Sequence, residues 1–201
     1  MDPITISNAL LLLVVIYFNS MFVLSQIFIP NLGYRRKIKG KIPIFVRQEM
    51  IKIGENSKTK REVLEKVLEF QHKYFYSEMR QVYRQFFLLF EGNFQKLWNK
   101  KGFLHCHQQN FVLRVLLLQT KRFKEEDIRL KVTFCYFNIH QYMKLKVDDE
   151  TIKVDPFAIS LGYHIGEVLP NFAYKSMKQR KISPFKTKDK SKAPAAFMIR
   201  K

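Results

Sequence analysis

Between Pro3 and Tyr34 the chain carries no charged side chain, and Ala9 to Ile29 is built mostly of Leu, Val, Ile and Phe. About 20 apolar residues in a helix suffice to cross the hydrocarbon core of a bilayer, and this run has that length. Asn19, Ser20, Ser25 and Gln26 interrupt it with uncharged polar groups, which can bond within a helix or to another helix. A basic leader and a small-residue cleavage site are both lacking, so residues 1–30 read as an uncleaved transmembrane anchor rather than a removed signal peptide.

The charge places the rest of the chain relative to that anchor. Asp2 is the one charged side chain before the apolar run, whereas Arg35-Arg36-Lys37-Ile38-Lys39-Gly40-Lys41 follows it directly. Lys/Arg-rich flanks stay cytoplasmic, so a single-pass topology with a cytoplasmic domain is expected. The basic run would also gain about 1 kcal/mol per residue from anionic lipid headgroups. A net charge of +19 needs some such counter-surface. The charge is concentrated at the two ends and is not interleaved with aromatics on one face, which argues against specific nucleic-acid binding.

With 201 residues and 47% hydrophobic content, one ordinary core is the expectation. Residues 31–60, basic and containing Gly and Pro, read as a juxtamembrane linker. Apolar residues at helical spacing, among them Val63, Val67, Phe70, Tyr74, Val82 and Phe86, predict a long helix from Arg61 to about Phe90. Glu91-Gly92-Asn93 breaks it, a short segment carries Leu97 and Trp98, and a second apolar helix begins near Cys106 and ends near Thr120. Three strands follow between Arg129 and Phe157, the last two being Ile139 to Val147 and Thr151 to Phe157. Residues 161–172 form a loop-rich close, so the domain spans 61–172. Residues 173–201 are Lys-rich and predicted to be disordered.

The chemistry lies in Cys106, His140 and Asp155, which follow one another at intervals of 34 and then 15 positions. A cysteine in the first turn of a helix meets unpaired backbone N–H groups and the positive end of the aligned peptide dipoles, both of which favour thiolate. An imidazole such as His140 can take the thiol proton and later protonate a leaving amine. A carboxylate such as Asp155 on the far ring nitrogen fixes its tautomer. If Asp148-Asp149 is a two-residue hairpin turn, Val147 faces Glu150 and Tyr142 faces Asp155, which puts His140, Tyr142 and Asp155 on one sheet face. His140 and Asp155 are then diagonal neighbours with backbones about 7–8 Å apart. A register slip of one residue would turn Asp155 away.

Gly102 to Leu118, His140-Gln141-Tyr142 and Val154-Asp155-Pro156-Phe157 resemble the three blocks of the transglutaminase-like superfamily of cysteine enzymes. The likeness covers roughly residues 60 to 170. It implies an α+β, papain-like core with the nucleophile helix on an antiparallel sheet, and an acyl-enzyme thioester resolved by water or by an amine. The implied substrate is a protein or peptide amide, with no cofactor. The family commonly has Gly two residues before the cysteine, where this chain has Leu104, with Gly102 four before. It often has Trp two after the histidine, where this chain has Tyr142. Such an enzyme needs an oxyanion hole, for which the Cys106 N–H and the Trp98 indole are candidate donors.

Other readings of these residues are weaker. His105, Cys106 and His107 with His140 could suggest a metal site. Adjacent helical residues point about 100° apart, however, and there is no Cys-x-x-Cys or His-x-x-x-His pair, so no metal is expected. His105 and His107 read as flanking the nucleophile, either solvating it or lying at the cleft mouth, and His164 as a loop residue. Asp148, Asp149 and Glu150 read as turn residues rather than a calcium site. Cys135, in an alternating strand, reads as a small buried apolar residue. The competing function is a catalytically inactive binding module on the same fold, tethered to the membrane.

Overall fold

The computed structural model describes residues 3–33, 37–135 and 138–169. Arg35, Arg36, the side chain of Cys135 and the tail expected over 173–201 lie outside the described residues. The chain is α+β, with an apolar helix α1 at Pro3–Phe28. Within α1, Asn8–Phe28 has a mean hydropathy of 2.1 over 21 residues, and Leu10 to Tyr17 stand open on its surface. At 1.5 Å per residue that segment is about 31 Å long, the thickness of a bilayer core.

The domain is organised around α6, Cys106–Gln119, in which every side chain from His107 to Leu117 is buried. On one side lie α2, Ile44–Glu55, and α3, Lys60–Tyr74, contributing Val46, Met50, Val63, Leu64, Val67 and Leu68. On the other lies an antiparallel meander of β3, Ile128–Cys135, β4, Asn138–Val147, and β5, Glu150–Val154. Met143, Leu145 and Val147 point at α6 and are buried, while Lys144 and Lys146 on the alternate face are not. That alternation is the period-2 signature of a half-buried strand.

Three expectations from the sequence are corrected. The linker expected over 31–60 contains α2, whose Val46 and Met50 are fully buried, so this stretch is part of the core. The helix expected from Arg61 to Phe90 stops at Tyr74. It is capped at its start by Thr59 Oγ1, which accepts from Glu62 N at 3.1 Å. At its end, β1, Phe75–Tyr76, pairs in parallel with β2, Gly102–Phe103, and the Gln109 side chain donates to Tyr76 O and Ser77 Oγ. These tertiary bonds draw the backbone out of the helix, and it resumes as α4, Met79–Arg84, followed by a 3-10 turn at Phe86–Phe90. Finally, the last strand ends at Val154 instead of Phe157, because Pro156 opens α7, Pro156–Ser160.

α2 and α6 cross closely at Gly54, where an added Cβ would collide with the backbone carbonyl of Thr120. Neither backbone can yield without unseating a helix, so Gly54→Ala is expected to cost about 1–3 kcal/mol, the range for overpacking. Denaturant unfolding of the detergent-solubilised protein measures it. An unchanged midpoint would mean that α2 is not seated against α6.

Candidate functional site

Three elements converge at the N-terminus of α6. Gly102, with φ +80°, and Lys101, with φ 52°, turn the chain out of α5, Phe94–Lys100, into the approach to Cys106. Leu104 is fully buried, and its N–H bonds Tyr76 O at 3.3 Å. His105 is the N-cap, and its backbone N–H donates to the Gln108 side chain at 3.2 Å. Cys106 therefore occupies the first helical position, where N–H groups lack intrahelical acceptors.

β4 is fixed against this end of α6 by Asn110, whose Nδ2 donates to Gln141 O at 2.7 Å, one residue beyond His140. The hairpin turn falls at Asp148-Asp149 with Val147 opposite Glu150 and Met143 opposite Val154, so Asp155 follows on the His140 face as the alternation requires. His140 Nε2 meets Asp155 Oδ2 at 2.6 Å, and both side chains are at most 5% exposed. The carboxylate is held from two further directions: Oδ1 accepts Ala158 N at 3.1 Å as the N-cap of α7, and Oδ2 accepts Leu169 N at 3.0 Å. The Phe157 ring lies edge-on to the imidazole at 6.0 Å. His72 on α3 steadies α7, its Nε2–H donating to Pro156 O at 3.2 Å.

With Nε2 engaged by Asp155, the other ring nitrogen of His140 is left for the Cys106 sulfur, and each group favours the charged form of the other. Burial alone would raise the thiol pKa. The facing His140 charge, with hydrogen bonds from His107 and His140, outweighs it and brings Cys106 to about 6. Burial would likewise depress His140, but the Asp155 and Cys106 charges and their hydrogen bonds carry it well above its ordinary 6.5. Both shifts run in the direction that favours a thiolate beside an imidazolium backed by a carboxylate. The cysteine is half-buried while its two partners are shut in.

The remaining candidates separate. His105 and His107 are buried rather than set at a cleft mouth, and their Nε2 atoms donate to Gln85 O at 3.0 Å and Leu89 O at 3.1 Å. Burial holds His105 down at about 4, so it is neutral and structural. His107 bears on the sulfur as a second imidazole, the solvating place beside the cysteine that the sequence offered it. Tyr142 is half-buried two residues beyond His140 on the same strand face, opposite Lys131 on β3. Trp98 is 2% exposed and ringed by Phe45, Phe70, Tyr74, Phe75 and Phe94 with centroids 5.1 to 6.2 Å away, so it packs in the core, with its indole N–H buried and meeting no acceptor among the described residues. The surface depression beside it, lined by Lys41, Pro43, Phe45 and Asn99, does not include the thiol. His164 lies in an exposed loop, as expected, with its N–H on Glu167. Among the described residues no cluster of three metal-binding side chains occurs.

No family model, no curated protein and no solved structure matches this chain.

Proposed function

We infer that this chain is a membrane-anchored thiol enzyme of transglutaminase-like type, acting on amide bonds through an acyl-enzyme. The reading rests above all on the order sulfur, imidazole, carboxylate at the tip of a buried helix, with the 2.6 Å His140–Asp155 contact at its centre. The Cys106 thiolate attacks the amide carbonyl carbon, and a C–S bond forms as the carbonyl electrons move onto oxygen. The developing oxyanion meets the Cys106 N–H at the helix start. Collapse breaks the C–N bond, and His140 gives its proton to the departing amine. Water or a second amine then attacks the thioester, His140 takes that proton, and the thiolate is released. Hydrolysis and transfer differ in that last nucleophile alone. The papain-like arrangement of the core and the cytoplasmic side for the domain belong to the same proposal.

One observation favours the inactive-module reading: with Trp98 in the core, the Cys106 N–H is the one oxyanion donor identified. Incubation with a peptide-derived electrophile whose carbonyl is placed for thiol attack separates the two. Intact mass is expected to show one adduct on the wild type and one fewer on Cys106→Ala, a substitution that removes a single sulfur from a half-buried position outside the hydrophobic core. Equal adduct on both proteins removes the enzyme.

A further inference from the structure

The anchor and the site are joined without a spacer. The membrane-crossing segment ends at Phe28, and by Asn31 the chain is already inside the domain: Asn31 and Leu32 are 4% and 2% exposed. Asn31 O accepts from Gln141 Nε2 at 2.7 Å, and Gln141 is the residue after His140. Pro30 sits against Gly92, where an added Cβ would lie 2.6 Å from the proline Cβ. Two or three intervening residues reach at most about 10 Å, so the face of the domain at which Gln141 meets Asn31 lies at the headgroups.

That face is built for the position. The 3-10 turn Phe86–Phe90 leaves Phe87 87%, Phe86 53% and Phe90 47% exposed, the three rings in edge contact at 5.8 and 5.9 Å. Its inward side is fully engaged. The backbone carbonyls of Gln85 and Leu89 accept from His105 and His107, on either side of Cys106, and the Gln108 side chain donates to Leu88 O and Glu91 O. The turn is thus a ridge tied by hydrogen bonds to the residues on either side of Cys106. Beside it runs the basic strand after the anchor: Lys39 bridges Asn93 and accepts Phe94 N at 2.8 Å through its carbonyl, and the side chains of Lys37, Lys39 and Lys41 are exposed. Apolar rings beside lysines, at the level where a transmembrane helix emerges, match the interface of an anionic bilayer.

We propose that the Phe86-Phe87-Phe90 ridge, with Lys37, Lys39 and Lys41, is a docking face for anionic lipid that seats the domain on the bilayer and opens Cys106 at headgroup level. Where the enzyme reading holds, the substrate amide is one carried by a membrane-attached chain. That clause rests on the proposed function; the docking itself does not.

The full-length protein reconstituted in phosphatidylcholine–phosphatidylglycerol vesicles tests it. Trp98, the sole tryptophan, is buried in the core and provides the internal blank. In Phe87→Trp, lipids brominated near the headgroup are expected to quench at least half of the added emission and little of the wild type's. Quenching should fall when phosphatidylcholine alone is used. Absence of quenching of Phe87→Trp overturns the docking, and a change of oligomeric state on Phe86→Ser/Phe87→Ser/Phe90→Ser would then assign the ridge to a second copy. The same triple variant is expected to slow labelling of Cys106 by a lipid-anchored electrophile about tenfold while leaving labelling by soluble iodoacetamide unchanged. Quenching without that slowing keeps the docking and removes the membrane-attached substrate. Loss of the peptide-electrophile adduct described above would remove the enzyme and leave the quenching untouched.

Discussion

Replacing Asp155 by Ala is expected to destabilise the domain by about 3–5 kcal/mol, a large share of the 5–15 kcal/mol that holds a domain of this size together. Three donors converge on that one carboxylate: Ala158 N, Leu169 N and His140 Nε2. The side chain is wholly buried, so none of the three finds water when it is removed. Each stranded donor costs about 1–3 kcal/mol, and the lost α7 cap is part of the total. Asp155→Asn separates structure from chemistry. Its oxygen can still cap Ala158, but its NH2 group faces Leu169 N–H and forces His140 Nε2 to become an acceptor. The ring proton then moves to the nitrogen that faces sulfur, where it blocks uptake of the thiol proton. Thioester formation should fall on the order of 10⁴-fold, the scale of a lost orienting carboxylate, with a milder loss of stability. Thermal melts and acyl-adduct kinetics on both variants measure this. A stable Asp155→Ala protein, or an Asp155→Asn protein of full reactivity, would detach the carboxylate from the site.

The sheet was legible because its information is local. Asp148-Asp149 between two alternating runs fixes the register, and the register fixes the face on which His140 and Asp155 stand. The left-handed backbone at Asp148, φ 52°, suits a residue type that tolerates it. Asp-Pro also carried a second message, an N-cap followed by proline at the first helical position, which accounts for the strand ending three residues early. What escaped the sequence is what long-range contacts decide. Gln109 reaches back across 32 positions to Ser77 and unwinds a helix that periodicity continues. α2 has no side-chain cap to mark its start after Pro43, and Val46 and Met50 count as core only because α6 lies beneath them. Trp98 resembled a cleft donor in a linear reading and instead packs among aromatic rings from its own helix, through Phe94, and from α2, α3 and β1. A signal for the exposed ridge was present: Phe86-Phe87-Leu88-Leu89-Phe90 is five apolar residues without helical or alternating polarity, a pattern that a water-facing helix does not carry.

Removing the His140 imidazole should move the titration of Cys106 more than it moves any single rate. In the intact site the thiol titrates at about 6 instead of its ordinary 9. Alkylation by iodoacetamide, taken relative to Cys106→Ala to subtract Cys135, should therefore rise through pH 6 and level off. In His140→Ala the midpoint should climb to about the ordinary 9, because burial, which raises the thiol, is then opposed by His107 alone. At pH 7 the thiolate fraction falls from roughly nine-tenths to a few per cent or less, but a more basic thiolate is the better nucleophile, with a Brønsted slope of about 0.4–0.5. The two effects largely offset, leaving a net loss of only about 4–5-fold in alkylation, so the midpoint carries the information. Acyl transfer from an amide has no such compensation, since the leaving amine loses its proton donor, and a further 10²–10⁴-fold decrease is expected. Stability gives a different answer, and its sign follows from proton counts. His140 is raised when folded, so by itself it stabilises fully below about 6.5 and loses that contribution as pH climbs through its raised value. Cys106 is lowered, so by itself it stabilises above 9 and loses that contribution as pH falls through about 6. From about 6.5 upward the folded pair holds one proton on nitrogen and the unfolded chain holds one on sulfur, so stability stays level until either the raised imidazolium or the free thiol begins to ionise. A melting temperature flat over that window beside a reactivity midpoint near 6 is the joint signature of the ion pair. A reactivity midpoint near 9 in the wild-type protein would show that sulfur and imidazole do not share a proton.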